Sequence, residues 1–282
     1  MNPEPRTPNP EPRLGLIAGN GLFPILFARC AKERAVGVVA LAIEGEARPE
    51  LEKEVEKLHW VGLAKLGQMI RILKREGLTR AAMAGGVTKA DMFSTVLYRR
   101  FRPDLRAIQL WYQKVRDRKD HSILGAFADE LEGEGIKLES SLLYLDKHLA
   151  DKGCMTRRKP SRRELADVEF GWPIAKQVAQ LEIGQTLVVK ERCVVAAEGI
   201  EGTDEAIRRG AKLAGKGIVV VKLAKANQDL RFDVPTVGEN TVATLREVGA
   251  NALAIEAGKT LMLDKPAVIA AADQAHITLV GR

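Results

Sequence analysis

The chain has 282 residues, 46% hydrophobic and 29% charged, which excludes wholesale disorder and is long enough for two cores. Lys and Arg outnumber Asp and Glu by 44 to 37, and the net +7 points to an anionic partner: a phosphorylated substrate, an anionic membrane surface or nucleic acid. The three cysteines are widely spaced and odd in number, so neither a disulfide framework nor a cysteine zinc site is expected, and no apolar run is long enough for a transmembrane helix.

The first thirteen residues (MNPEPRTPNPEPR) carry five prolines and no apolar stretch, and read as an extended, solvated tail rather than a signal peptide. Residues 14–18 (LGLIA) form a strand closed by Gly19, Asn20 and Gly21, and helical spacing follows through Ile25, Leu26 and Ala28. Residues 36–43 (VGVVALAI) make a second strand, 68–76 an amphipathic helix, and 81–84 a third strand ending at Gly85 and Gly86. Strands alternating with helices predict a parallel sheet with right-handed crossovers. Residues 99–119 then become strongly basic, a helix is expected over 122–132, and a short strand near 137–142. Residues 152–163 (KGCMTRRKPSRR) hold six basic residues, no acid and a proline, which marks a domain break.

Beyond the break, a helix is expected over 167–181 and paired strands at 186–190 and 193–197. Thr203 reads as the N-cap of a helix running through Lys212, and 218–223 as a buried strand. A helix at 239–248, strands at 253–256 and 260–263, a helix from Pro266 and a strand near 277–280 complete the chain. The fold class is α/β with two domains: a proline-rich tail at 1–13, an N-terminal Rossmann-like parallel sheet at 14–150, a basic linker at 151–163, and a C-terminal mixed α/β domain at 164–282.

Five segments have residues suited to chemistry. Gly19, Asn20 and Gly21 lie between strand and helix, where free backbone N–H groups and the helix dipole favour a phosphate. The dinucleotide pattern G-x-G-x-x-G fails at Pro24, although Glu44 stands where a ribose-binding acid would fall; the alternative is a tight turn without a ligand. Gly85 and Gly86, in AGGVTK, form a second turn at a strand's carboxyl end, either facing the same crevice or simply permitting a sharp bend. It is not a P-loop, because GK[ST] is absent.

The segment EGIEGTD brings Glu198, Glu201 and Asp204 to a helix start, a set suited to Mg²⁺ or else a solvated acidic loop. In LRFDVPTVG, Asp233 sits between Phe232 and Val234 before the rigid Pro235; it is either a fixed catalytic or metal-binding carboxylate or an ion-pair partner for a base such as Arg231. Residues 99–119 hold eight Lys or Arg against two acids, with Phe101, Trp111 and Tyr112 interleaved. That pattern fits a membrane interface, single-stranded nucleic acid or a solvated helix face. His121, beside Asp120, reads as structural.

In this order, LGLIAGNGLFP, AGGVTKADMF, EGIEGTDEAIRR and FDVPTVG resemble the UDP-2,3-diacylglucosamine pyrophosphatase family of lipid A biosynthesis, in the form found in bacteria that lack the calcineurin-like version. The resemblance runs from about Leu14 to the C-terminus. It implies two domains with the lipid held between them, and Mg²⁺-dependent attack of water on the α-phosphorus of UDP-2,3-diacylglucosamine. The products would be UMP and 2,3-diacylglucosamine 1-phosphate (lipid X). It places the essential aspartate on Asp233, with Asp204 as second catalytic acid and both as metal ligands. Glu201, Gly202, Thr203 and Thr236 then join Gly19, Asn20, Gly21, Gly85 and Gly86 as substrate-binding candidates. The implied partners are the lipid substrate and the cytoplasmic surface of the inner membrane, contacted peripherally from the cytoplasm, with no nucleic acid. No NAD is expected, given Pro24. Two other readings are a nicotinamide-dependent oxidoreductase, which leaves Asp204 and Asp233 without a task, and a non-catalytic nucleotide- or RNA-binding protein resting on the basic charge.

Overall fold

A computed structural model describes residues 12–87, 102–114, 120–224 and 229–282, apart from the side chains of residues 113, 114 and 120–122. The chain divides into two compact units, one ending at Tyr144 and the other beginning at Leu145.

In the first unit β1 (Arg13–Ala18), α1 (Phe23–Lys32), β2 (Gly37–Ile43), β3 (Lys57–Val61), α2 (Leu66–Arg75) and β4 (Arg80–Ala84) alternate. Two helices, α3 (Leu105–Lys114) and α4 (Asp120–Gly133), precede the short β5 (Lys137–Leu138). The five strands lie in the order β3-β2-β1-β4-β5, all parallel. This is the doubly wound order, whose direction of winding reverses between β1 and β4. The two central strands β1 and β2 are apolar almost throughout because both faces are covered. β3 is an addition to the sequence-based expectation: as an edge strand with mostly half-exposed residues, KLHWV lacks the apolar run that reveals its neighbours.

One carboxylate fixes where α2 and α3 begin. Asp104 Oδ2 accepts from Gly67 N at 2.8 Å, and Oδ1 accepts from Ala107 N at 2.9 Å, so a single side chain caps two helix starts. Phe101, His121 and the flanking basic residues of the 99–119 run fall outside the described positions or side chains.

The second unit carries β6 (Gly153–Cys154), α5 (Arg162–Gln180), β7 (Thr186–Lys190), β8 (Cys193–Ala197), α6 (Thr203–Ala214), β9 (Val219–Lys222) and β10 (Thr236–Val237). It continues with α7 (Glu239–Glu247), β11 (Ala252–Ile255), β12 (Leu261–Met262), α8 (Lys265–Gln274) and β13 (Thr278–Gly281). Six strands form a mixed sheet, β6-β13-β11-β9-β7-β8, in which β13, β11 and β9 are parallel while β6, β7 and β8 each run antiparallel to a neighbour. Alternate residues feed two cores. Val188, Val220, Leu253 and Leu279 pack with residues of α6, α7 and α8, whereas Val189, Val219, Val221 and Ala254 pack with Val168 and Ala175 of α5. β10 and β12 make a separate parallel pair.

Residues 151–163, expected as a linker, contain β6 and a half-buried arginine bonded within this unit. Arg158 binds Glu164 at 3.1 Å, the carbonyl of Asn251 at 3.3 Å and the Thr278 hydroxyl. A capping box between Ser161 and Glu164 starts α5 at Arg162, earlier than apolar spacing suggests. Gly202, at φ +85°, is the N-cap of α6, and Thr203 is the first helical residue. Its hydroxyl is drawn elsewhere.

Candidate functional site

The carboxyl ends of β9 and β11 open onto one edge of the second sheet, where the loops after β8 and before β10 also arrive. Lys222 closes β9 and pairs in register with Thr186 at the start of β7. Although a lysine, it is only 8% exposed. Its Nζ donates to Thr203 Oγ1 at 3.2 Å and to the Thr236 carbonyl at 3.0 Å.

The Thr203 hydroxyl is fully used by its neighbours. Its one proton goes to Glu198 Oε1 at 3.2 Å, leaving its lone pairs to accept from Lys222 and from the Thr186 hydroxyl, also at 3.2 Å. The other Glu198 oxygen accepts from Gln185 N at 3.2 Å. A single buried ammonium therefore joins the start of α6, which carries EGTD, to the strand that follows Asp233.

Burial pushes the Lys222 ammonium below the ordinary lysine pKa, while Glu198, Asp204 and Asp233 pull it back up. Asp204 Oδ1 is buried and has no hydrogen-bond partner among the described residues. Asp204 also lines an open depression of about 640 Å³ with Arg208, Asn240, Thr244 and Arg246. Asp233 is fixed by its own backbone, whose N–H donates to the Asp229 carbonyl at 2.9 Å, and the Arg231 guanidinium binds Asp229 at 2.7 Å.

Thr203 and the Thr236 carbonyl meet at Lys222, and Asp204 and Asp233 act on the same ammonium through their charge. Glu201 is differently engaged: it binds Arg209 at 2.5 Å and accepts from Gly199 N at 3.0 Å. The Arg209 hydrogen bond holds its carboxyl below the usual range. Gly202 supplies the left-handed turn between Glu201 and α6. Lys222 was absent from the expected residues. The available signal was a lysine closing an otherwise apolar run, IVVVKL.

Among the described residues no three His, Cys, Asp or Glu side chains form a ready-made metal cage. Mg²⁺ does not require one, because it usually takes one or two carboxylates with waters and substrate phosphate oxygens. The partnerless buried Asp204 oxygen fits such an ion.

The remaining candidates form a cluster in the first unit. Gly19 N donates to the Ala84 carbonyl at 2.9 Å, and Asn20 N to the Gly86 carbonyl at 2.8 Å. Gly85 adopts φ +85°, and the Asn20 amide donates to Glu46 Oε2 at 3.1 Å. The two glycine turns meet at the carboxyl ends of β1 and β4, the place where a doubly wound sheet receives ligands.

Comparison with known families decides the lineage. The model of the LpxI N-terminal domain matches residues 13–148, and that of the LpxI C-terminal domain matches residues 151–280. The chain belongs to the LpxI family. It is 31% identical over 279 residues to the UDP-2,3-diacylglucosamine pyrophosphatase LpxI of Caulobacter vibrioides, covering 95% of this chain and 97% of that LpxI protein. Among solved structures, the biotin carboxylase domain of Hydrogenobacter thermophilus 2-oxoglutarate carboxylase aligns with 73% of this chain and 42% of its own, at 15% identity and TM-score 0.24. Another structure, the biotin carboxylase domain of a thermophilic 2-oxoglutarate carboxylase bound to ADP, aligns with 67% and 36% at 16% identity and TM-score 0.23. Scores that low carry no structural inference for the LpxI chain.

Proposed function

We propose that the chain hydrolyses UDP-2,3-diacylglucosamine, with water attacking the α-phosphorus to give UMP and 2,3-diacylglucosamine 1-phosphate. The observation that carries this reading is the meeting of EGTD and DVPTVG around Lys222, with a buried Asp204 oxygen left open. Membership of the LpxI family supplies the substrate class.

The chemistry follows from charge. A diphosphate repels an incoming nucleophile, so its negative oxygens must be neutralised and the water must be held in line. Asp204 and Asp233 would hold Mg²⁺, which when bound supplies Lewis-acid charge to the phosphate oxygens. The N–H groups at the start of α6 face the same edge and are suited to phosphate oxygens. One carboxylate of the Asp204 and Asp233 pair accepts a proton as the water oxygen bonds to the α-phosphorus. The bond from that phosphorus to the bridging oxygen breaks, and the bridging oxygen leaves with the lipid phosphate. General-base assistance of this kind is worth about 10²–10⁴ in rate.

The reading extends to peripheral contact with the cytoplasmic face of the inner membrane. A diacylated substrate resides in a bilayer, and no described helix is long and apolar enough to cross one. Leu105, Trp111 and Tyr112 on α3 are exposed at 86%, 45% and 83%, inside the basic run read from the sequence. Interfacial aromatics with lysine and arginine suit anionic lipid. Incubation of the purified chain with the lipid and Mg²⁺ tests the activity: release of UMP supports it, and intact substrate contradicts it.

A further inference from the structure

A lysine that closes a buried strand must justify its place, since an ammonium loses its hydration there and regains little from ordinary packing. Lys222 is held by two bonds whose acceptors belong to different segments. Thr203 Oγ1 stands at the first turn of α6, next to Asp204, and the Thr236 carbonyl lies three residues after Asp233, across Pro235. Pro235 has a fixed φ, which removes one of the rotations through which a shift at Thr236 could be absorbed before it reaches Asp233. The Thr203 hydroxyl is in turn fixed by Glu198 and Thr186, so the ammonium is bound to a rigid mount on the helix side.

We infer that Lys222 is a positioning residue of the hydrolytic site, a buried cross-tie that sets Asp204 and Asp233 at their working separation. This rests on the pyrophosphatase reading for its effect on rate, but not for its effect on structure. The tie acts through the Thr203 hydroxyl and the Thr236 backbone carbonyl, so its loss falls on the chemical step, whose geometry tolerates little displacement, and leaves binding of the lipid and uridine portions nearly unchanged. Misplacement of reacting groups by about 1 Å costs about 100-fold in rate.

The test uses the full chain with Lys222→Met, which keeps most of the apolar stem but removes the charge and the N–H donors of both bonds. The expected result is kcat lower by about 100-fold with KM within about threefold, and a lower melting temperature, because Glu198, Asp204 and Asp233 lose their buried counter-charge. Hydrogen exchange on the same preparation should show residues 198–206 and 229–238 exchanging at least about tenfold faster, with β9 and β11 unaffected. A folded Lys222→Met protein with kcat near wild type, a loss carried by KM alone, or unchanged exchange in both segments would overturn the inference. If Lys222→Met does not fold, Lys222→Gln, which retains a polar donor, is measured in the same way; a chain that folds with neither makes Lys222 part of the framework and also overturns the positioning role. A wild-type protein that releases no UMP defeats the pyrophosphatase reading instead, and the exchange measurement still decides the role of the tie.

Discussion

Asn20 and Gly86 grip each other at the winding reversal of the first sheet: Asn20 N donates to the Gly86 carbonyl at 2.8 Å, and Gly86 N donates to Asn20 Oδ1 at 3.2 Å. The contact is possible because neither turn carries a side chain at its closest point. A Cβ placed on Gly19 would run into the Gly86 carbonyl. Gly19→Ala is therefore expected to destabilise the first unit by about 1–3 kcal/mol, the usual cost of forcing atoms into a filled contact. Urea denaturation should show a lower midpoint at unchanged slope, and an unchanged midpoint would show that the turns have room to separate.

Asp233→Ala and Asp204→Ala should both remove UMP release while leaving the protein folded. Neither carboxylate belongs to the two apolar cores of the second unit, and each lies in the like-charged group around Lys222. The expected loss is at least about 100-fold in kcat. For Asp204→Ala, raising Mg²⁺ should restore part of the activity. Turnover and melting temperature measured together separate a catalytic acid from an ion-pair partner: an active, less stable Asp233→Ala protein would assign the residue to the fold.

How much of this was legible in the sequence depended on burial on both faces. β1, β2, β7 and β9 were readable because buried apolar residues fill them and β8 because CVVAA is apolar throughout, whereas β3 was hidden by its exposed face and β10 by the Pro235 and Gly238 that bracket its two residues. Asp204 and Asp233 were visible through their motifs. Lys222 was not, because the chemistry of a buried lysine depends on which segments close over it, here the start of α6 with Thr203 and β10 with Thr236. The basic stretch at 152–163 read as a linker for the same reason: composition does not reveal that Arg158 is spent on Glu164 and Thr278 inside the unit.

Membrane contact through α3 predicts vesicle binding that depends on charge and salt. Co-sedimentation should be stronger with anionic vesicles than with neutral ones and should weaken as salt rises, because exposed charges are screened beyond about 8 Å at physiological ionic strength. Replacing Trp111 and Tyr112 together by Ser should reduce binding with turnover on a detergent-dispersed substrate retained. Binding indifferent to vesicle charge, to salt and to these two side chains would contradict the proposal.

Acid should weaken the first unit through Glu134. Hydrogen bonds from Lys74 and Arg106 lower its carboxyl from 4.5 to about 2. A carboxylate with a lowered folded-state pKa adds stability above its unfolded value and loses it as pH falls toward its folded value. The melting temperature should accordingly decline between about pH 4.5 and pH 2, and Glu134→Gln should flatten part of that decline. Calorimetry across this interval gives the answer, and identical slopes for the two proteins would remove Glu134 from the account.

Hydrolysis at the α-phosphorus leaves its record in where the entering oxygen ends up. The wild-type chain is incubated with UDP-2,3-diacylglucosamine and Mg²⁺ in ¹⁸O-labelled water, and both products are weighed by mass spectrometry. Attack at the α-phosphorus puts one ¹⁸O into UMP and none into 2,3-diacylglucosamine 1-phosphate. The label in the lipid phosphate, or the absence of both products, would contradict the account.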